Sequence, residues 1–159
     1  MIRLDLLSVG LVEETGGILL VLRAQEQARL LVIETGIPEG QAIALEAEGV
    51  RSERPLTQDL LHDVILRLGA RVREVQIYAY QNETYFAKLV LARTDGGKAV
   101  EVDARPSDAI GLALRARAPI YVEDEVIATA GIPEDRHGRF AELFDDDEDD
   151  EEPGERVIH

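Results

Sequence analysis

Six consecutive residues, Ala109 to Leu114, carry no polar side chain, and they sit inside a stretch that leaves the chain few folding options. Before them, Val100 and Val102 alternate with Glu101 and Asp103, so a strand over these residues sends both carboxylates to one face. The chain then turns through Ala104-Arg105-Pro106-Ser107-Asp108. Pro106 suits the first helical position, where its missing N–H costs nothing, and Asp108 falls in the first turn, where the helix dipole favours negative charge. A helix apolar over most of its surface has to be buried. Ala118-Pro119 ends it, and Ile120 to Val122 reads as a short buried strand. The unit is therefore strand, polar corner, buried helix, strand, and the corner is the best candidate site in the chain.

The flanking pattern sets the fold class. Ile2–Val12 and residues 18–23 read as a hairpin around Glu13-Glu14-Thr15-Gly16-Gly17, with a third strand at residues 29–34. A helix follows Gly36-Ile37-Pro38, with Glu39 in its first turn, Ala42, Ile43 and Ala47 at helical spacing, and Gly49 after its end. A second helix has Thr57 as N-cap and a stripe of Leu60, Leu61, Val64, Ile65 and Leu68 before Gly69, with Asp59 in its opening turn. Strands at residues 74–80 and 84–93, turning at Asn82-Glu83, lead through Asp95-Gly96-Gly97 into the strand at 100, an antiparallel meander. This order predicts an α+β fold with a mostly antiparallel sheet, two central helices and a buried third. A short helix is expected at 123–130, a weaker one at 134–144 and a disordered acidic tail at 145–159.

Charge and composition exclude several functions. The net charge is −15; residues 145–152 alone contribute −8, and the first 144 residues keep 23 acids against 16 bases. A broad surface for coating nucleic acid does not fit such a body, although a local arginine cluster does, and 15 of the 17 basic residues are Arg. Cysteine is absent, which removes disulfides, thiol nucleophiles and cysteine metal sites. The N-terminus shows no signal-peptide pattern and no apolar run reaches membrane-spanning length, so a cytoplasmic protein without membrane attachment is expected. No phosphate-binding glycine loop, Gly-x-Ser-x-Gly elbow or zinc motif occurs, and His62, His137 and His159 have no metal-ligand spacing.

Asp103-Ala104-Arg105-Pro106-Ser107-Asp108-Ala109-Ile110, with Leu112-Ala113-Leu114 and Ala118-Pro119-Ile120 behind it, resembles the hallmark of the bifunctional nuclease (DNase/RNase) domain family. Three other segments agree in order and spacing: Gly36 with Glu39-Gly40-Gln41-Ala42-Ile43-Ala44, Arg54-Pro55-Leu56-Thr57 with Asp59-Leu60, and Tyr85-Phe86-Ala87-Lys88-Leu89. The resemblance spans residues 1–133 and implies nuclease activity on DNA and RNA. Gln58 stands where members often carry His, and Gly40 replaces the usual Ala.

Phosphodiester hydrolysis needs an activated water and stabilised charge on the phosphorus oxygens, which carboxylate-held Mg²⁺ or Mn²⁺ and arginine supply. The candidate catalytic acids are Asp103, Asp108, Glu39 and Asp59, with Glu101, Asp103 and Asp108 as the candidate metal ligands. Arg105, Arg54 and Ser107 are the candidate phosphate contacts. Tyr78, Tyr80 and Tyr85 offer stacking surface for bases or, more simply, cross-strand packing. The competing structural account has Ser107 and Asp108 capping the helix and Arg105 pairing with Asp103 or Glu39. On that account the chain is a non-enzymatic binding or regulatory module with protein or small-ligand partners. Self-association, with a dimer favoured, is expected from its apolar surface.

Overall fold

A computed structural model of the chain describes residues 1–138. In order, the elements are β1 (Ile2–Val12), β2 (Gly17–Ala24), β3 (Arg29–Thr35), α1 (Ile37–Ala47), α2 (Thr57–Arg67), β4 (Ala70–Gln81), β5 (Thr84–Arg93), β6 (Val100–Ala104), α3 (Pro106–Ala116), β7 (Ile120–Val122), α4 (Asp124–Ala130) and β8 (Ile132–Pro133), followed by a three-ten turn at Glu134–Arg136. The fold is α+β. The expected helix at 134–144 is described only through residue 138, where it opens as that three-ten turn, and the acidic tail at 145–159 lies outside the described residues.

All eight strands join one sheet in the order β6-β5-β4-β7-β1-β2-β3-β8. Two antiparallel meanders, β1-β2-β3 and β4-β5-β6, make up most of it. The three residues of β7 sit between them, antiparallel to Ile2–Leu4 of β1 and parallel to Val75–Ile77 of β4. Local turn chemistry makes the second meander: Asn82 and Glu83 take φ of 51° and 60°, the left-handed pair that a two-residue hairpin turn requires.

The long strands carry bulges, between Leu6 and Ser8 in β1 and at two places in β4. Bulges bend a strand and increase its twist. The sheet accordingly curls until Tyr80–Phe86 at the β4–β5 tip and Val32–Gly36 at the end of β3 line one cleft, though three strands separate β3 from β4.

α3 packs against α1, α2, β4 and β5. Ala109, Ile110, Leu112 and Ala113 are each at most 1% exposed and join a core with Leu20, Leu22, Ile43, Val75, Ile77, Ala87 and Val122. The helix stops at Ala116, ahead of Ala118-Pro119, because Arg117 adopts a left-handed φ of 53°. Gly40 on α1 is a close-approach position: a Cβ there would stand 2.5–2.6 Å from the Ile18 side chain.

Two helix expectations need correction. Leu56 rather than Thr57 is the N-cap of α2; Thr57 is already helical, and the Asp59 carboxylate accepts the Leu56 N–H at 2.8 Å. The apolar stripe of α2 is not its core face either, since only Ile65 is buried. Leu60, Leu61, Val64 and Leu68 are 58%, 42%, 41% and 81% exposed. On α1, Ala42 and Ile43 are buried while Ala47 is exposed.

Candidate functional site at the head of helix α3

Arg105 is the residue on which this corner turns. It is the N-cap of α3, in extended conformation with φ −65° and ψ 144°, and Pro106 behind it starts the helix. No side chain caps α3, so Ser107 and Asp108 do not serve in that way. Asp108 instead faces the guanidinium. Arg105 Nε donates to Asp108 Oδ2 at 2.7 Å and Nη2 to Asp108 Oδ1 at 3.2 Å, a bidentate pair. The same Nη2 reaches Glu39 Oε1 at 3.1 Å and so ties the start of α1 to the start of α3. These two carboxylates, Asp108 first, hold Arg105 above even its usual basicity. The guanidinium is nonetheless 66% exposed, and among the described residues its Nη1 has no partner.

Two clefts meet at this arginine. One, of about 400 Å³, lies between the starts of α1, α2 and α3 and is lined by Glu39, Thr57, Gln58, Arg105 and Asp108. The other, of about 640 Å³, lies between the end of β3, the β4–β5 tip and the corner, and is lined by Tyr80, Tyr85, Phe86, Asp103, Arg105 and Ser107. Tyr80 and Tyr85 are direct cross-strand partners with ring centroids 4.6 Å apart. Burial, then the neighbouring Tyr80, pushes the Tyr85 phenol up to about 12, so it stays a neutral donor. Ser107 is 6% exposed.

The other sequence candidates go elsewhere. Glu101 and Asp103 do project from one face of β6, where Lys88 Nζ meets Glu101 Oε2 at 3.1 Å and the Tyr78 hydroxyl donates to Asp103 Oδ1 at 3.4 Å. Asp103 and Asp108 thus line different clefts, with Arg105 between them. Among the described residues no group of three or more His, Asp or Glu side chains is placed to hold a metal ion, and the expected ligand set Glu101, Asp103 and Asp108 is not assembled. Arg54 is exposed in the loop before α2 and lines neither cleft.

Asp59 is drawn away by a residue that sequence reasoning missed. Arg115, 5% exposed, donates from Nε to Asp59 Oδ1 at 2.7 Å, from Nη1 to the Gly111 carbonyl at 3.1 Å and from Nη2 to the Ala42 carbonyl at 3.5 Å. One guanidinium therefore pins α1, α2 and α3 together. Partial burial raises the Asp59 carboxyl, but the Leu56 N–H, Arg115 and Arg51 outweigh it and hold the group below its ordinary 3.8. The available signal was a charge directly after the apolar run Ala109 to Leu114, on a helix that has to be buried, where it needs internal partners.

A curled sheet of two meanders, closed over a helix whose head presents an arginine between two clefts, defines an α+β domain with a solvent-open polar corner. Residues 20–135 match the bifunctional nuclease domain, and the chain belongs to that family. An uncharacterized protein of Mycobacterium tuberculosis is 45% identical over 113 residues, 71% of this chain and 66% of its own length. Bifunctional nuclease 2 of Arabidopsis thaliana is 34% identical over 84 residues, 52% of this chain and 26% of that protein. The bifunctional nuclease of Oryza minuta is 28% identical over 116 residues, 71% of this chain and 35% of that protein. This chain thus spans just under two thirds of the mycobacterial relative and a quarter to a third of the plant nucleases. Among the described residues no helix is long and apolar enough to cross a membrane.

Proposed function

We propose that the chain is a nuclease that hydrolyses phosphodiester bonds of DNA and RNA at the Arg105 corner. The observation that carries this reading is the exposed guanidinium at the meeting of two clefts, one of which also holds Asp103 and the Tyr80–Tyr85–Phe86 wall. Arg105 binds a backbone phosphate through its unpartnered Nη1 and stabilises charge on the phosphorus oxygens as water attacks. Asp103, in the same cleft, takes the proton from that water as general base, while the P–O ester bond to the departing sugar oxygen breaks and that oxygen takes a proton from solvent. A base of the bound strand stacks on the aromatic wall. Asp108 and Glu39 hold the guanidinium in place. Among the described residues the carboxylates do not form a site for Mg²⁺ or Mn²⁺. The acidic body makes encounter with nucleic acid slow and favours reaction at this one point.

The test is cleavage of single- and double-stranded DNA and RNA by purified protein with Mg²⁺, with Mn²⁺ and with chelator. Cleavage is expected, and Arg105→Ala or Asp103→Asn should lower kcat/KM by about 100-fold or more. The Arg105 ion pairs are exposed and contribute about 0–1 kcal/mol each, so Arg105→Ala should remain folded. Intact substrates under every condition overturn the enzyme, and equal cleavage by both variants overturns the site.

A second reading is favoured by one observation: Glu39 and Asp108 are already engaged by Arg105, and Glu101 by Lys88. On it the corner is a structural lock and the clefts serve a non-enzymatic binding or regulatory module for a protein or small ligand. Absence of cleavage together with saturable binding of one such partner supports it.

A further inference from the structure

Helix α2 carries the clearest apolar periodicity in the chain and buries almost none of it. Four exposed apolar residues, Leu60, Leu61, Val64 and, at the C-cap, Leu68, follow one flank of the helix; Leu66, 49% exposed, lies off that flank, and Ile65 faces the core. A second uncovered surface lies on the same side of the sheet. Val100 and Val102 on the edge strand β6 are in register with Leu91 and Leu89, whose side chains join or pack against the helix-side core, yet they are 45% and 40% exposed. α3 covers β4 and β5, and the helix layer leaves these two valines open.

We propose that this surface, the α2 stripe with the open face of β6, is where two copies of the chain pair about a twofold axis. The exposure fits. The six side chains are 40–81% exposed, and four of them follow one another along α2 rather than lying scattered singly over the surface. A stable interface takes about 800 Å² from each partner, of which just over half, about 450 Å², is apolar. The charges fit a copy of the same helix. Asp63 and Arg67 form an i,i+4 pair at 2.8 Å along the border of the stripe. When two α2 helices pack antiparallel around Val64, Leu60 of each copy meets Leu68 of the other. The same rotation brings Asp63 of each copy near Arg67 of the other. A twofold contact requires such a self-complementary patch, whereas an unrelated partner does not. The proposal is independent of whether the corner cleaves nucleic acid.

Sedimentation equilibrium from about 1 to about 100 μM tests it. The wild-type chain should sediment at twice its mass of 17.6 kDa in the low-micromolar range. Leu60→Glu with Val64→Glu should raise the dimer dissociation constant by about 100-fold or more. Leu11→Glu, at an exposed apolar residue of β1, should leave it unchanged. Arg67→Asp, which sets acid against acid across the axis, should weaken pairing by about 10-fold. Adding Asp63→Arg to that variant should restore it. These are surface changes, and circular dichroism with thermal melting verifies folding. A wild-type monomer at every concentration, a dimer unaffected by the α2 glutamates, or no rescue by the charge swap each overturns the proposal.

Discussion

At Gly40, one hydrogen atom decides how closely α1 can lie on β2. A Cβ at this place would stand 2.5–2.6 Å from Ile18, well inside contact distance. Gly40→Ala should therefore destabilise the protein by about 1–2 kcal/mol, as overpacking of roughly 1–3 kcal/mol outweighs a helix-propensity gain of at most about 1. Urea unfolding checks this, and Gly40→Ala with Ile18→Val should recover part of the loss. The sequence marked Gly40 as a departure from its family without saying what had taken up the space. That required knowing that Ile18, 22 residues away, packs beneath it. The Arg105–Glu39 pair was foreseeable from charge and position. The Arg115–Asp59 pair was not, because it joins residues 56 apart that belong to two helices with no order visible in the sequence.

At the level of elements, Arg115 takes the place of the apolar contacts that α2 lacks. With only Ile65 buried, α2 is held to its neighbours largely by the guanidinium that also reaches α1 and α3. Arg115→Ala should cost about 2–3 kcal/mol and lower Tm by roughly 5–10 °C, with Arg115→Lys recovering little because one ammonium cannot meet all three acceptors. Calorimetry measures both. The same contact carries a pH signature. The folded-state pKa of Asp59 is depressed, so its contribution is complete above 3.8 and is lost as pH falls through the lower folded value. The stability difference between wild type and Asp59→Asn should accordingly shrink in acid, read as converging urea midpoints. Element boundaries were largely legible, since hairpin turns, Pro106 and Gly69 act locally. What covers an apolar stripe is a tertiary fact, and the periodicity of α2 was equally consistent with a core face and an open one. β8 escaped notice because two residues make no pattern.

For the whole molecule, the sequence revealed the first hairpin, the second meander and the strand that follows the buried helix, but not that this strand lies between the two halves of the sheet. Sheet order depends on pairings between distant residues, and nothing local records that Ile120 sits beside both Leu4 and Val75. Ile120→Ala should cost about 2–5 kcal/mol and, in native-state hydrogen exchange, lower protection in β1 and β4 together rather than in one alone. Protection lost only near β7 would show that the two halves are held by other means. The same seam sets a schedule for a chain made from its N-terminus. β1, β2 and β3 are complete by residue 35, but the strand that covers the free side of β1 starts at residue 120. At about 5–20 residues per second, the first meander waits roughly 4–17 s with both edges unpaired, since β8, which flanks β3, comes later still, and in this period a nascent chain is open to chaperones and to pairing with its neighbours.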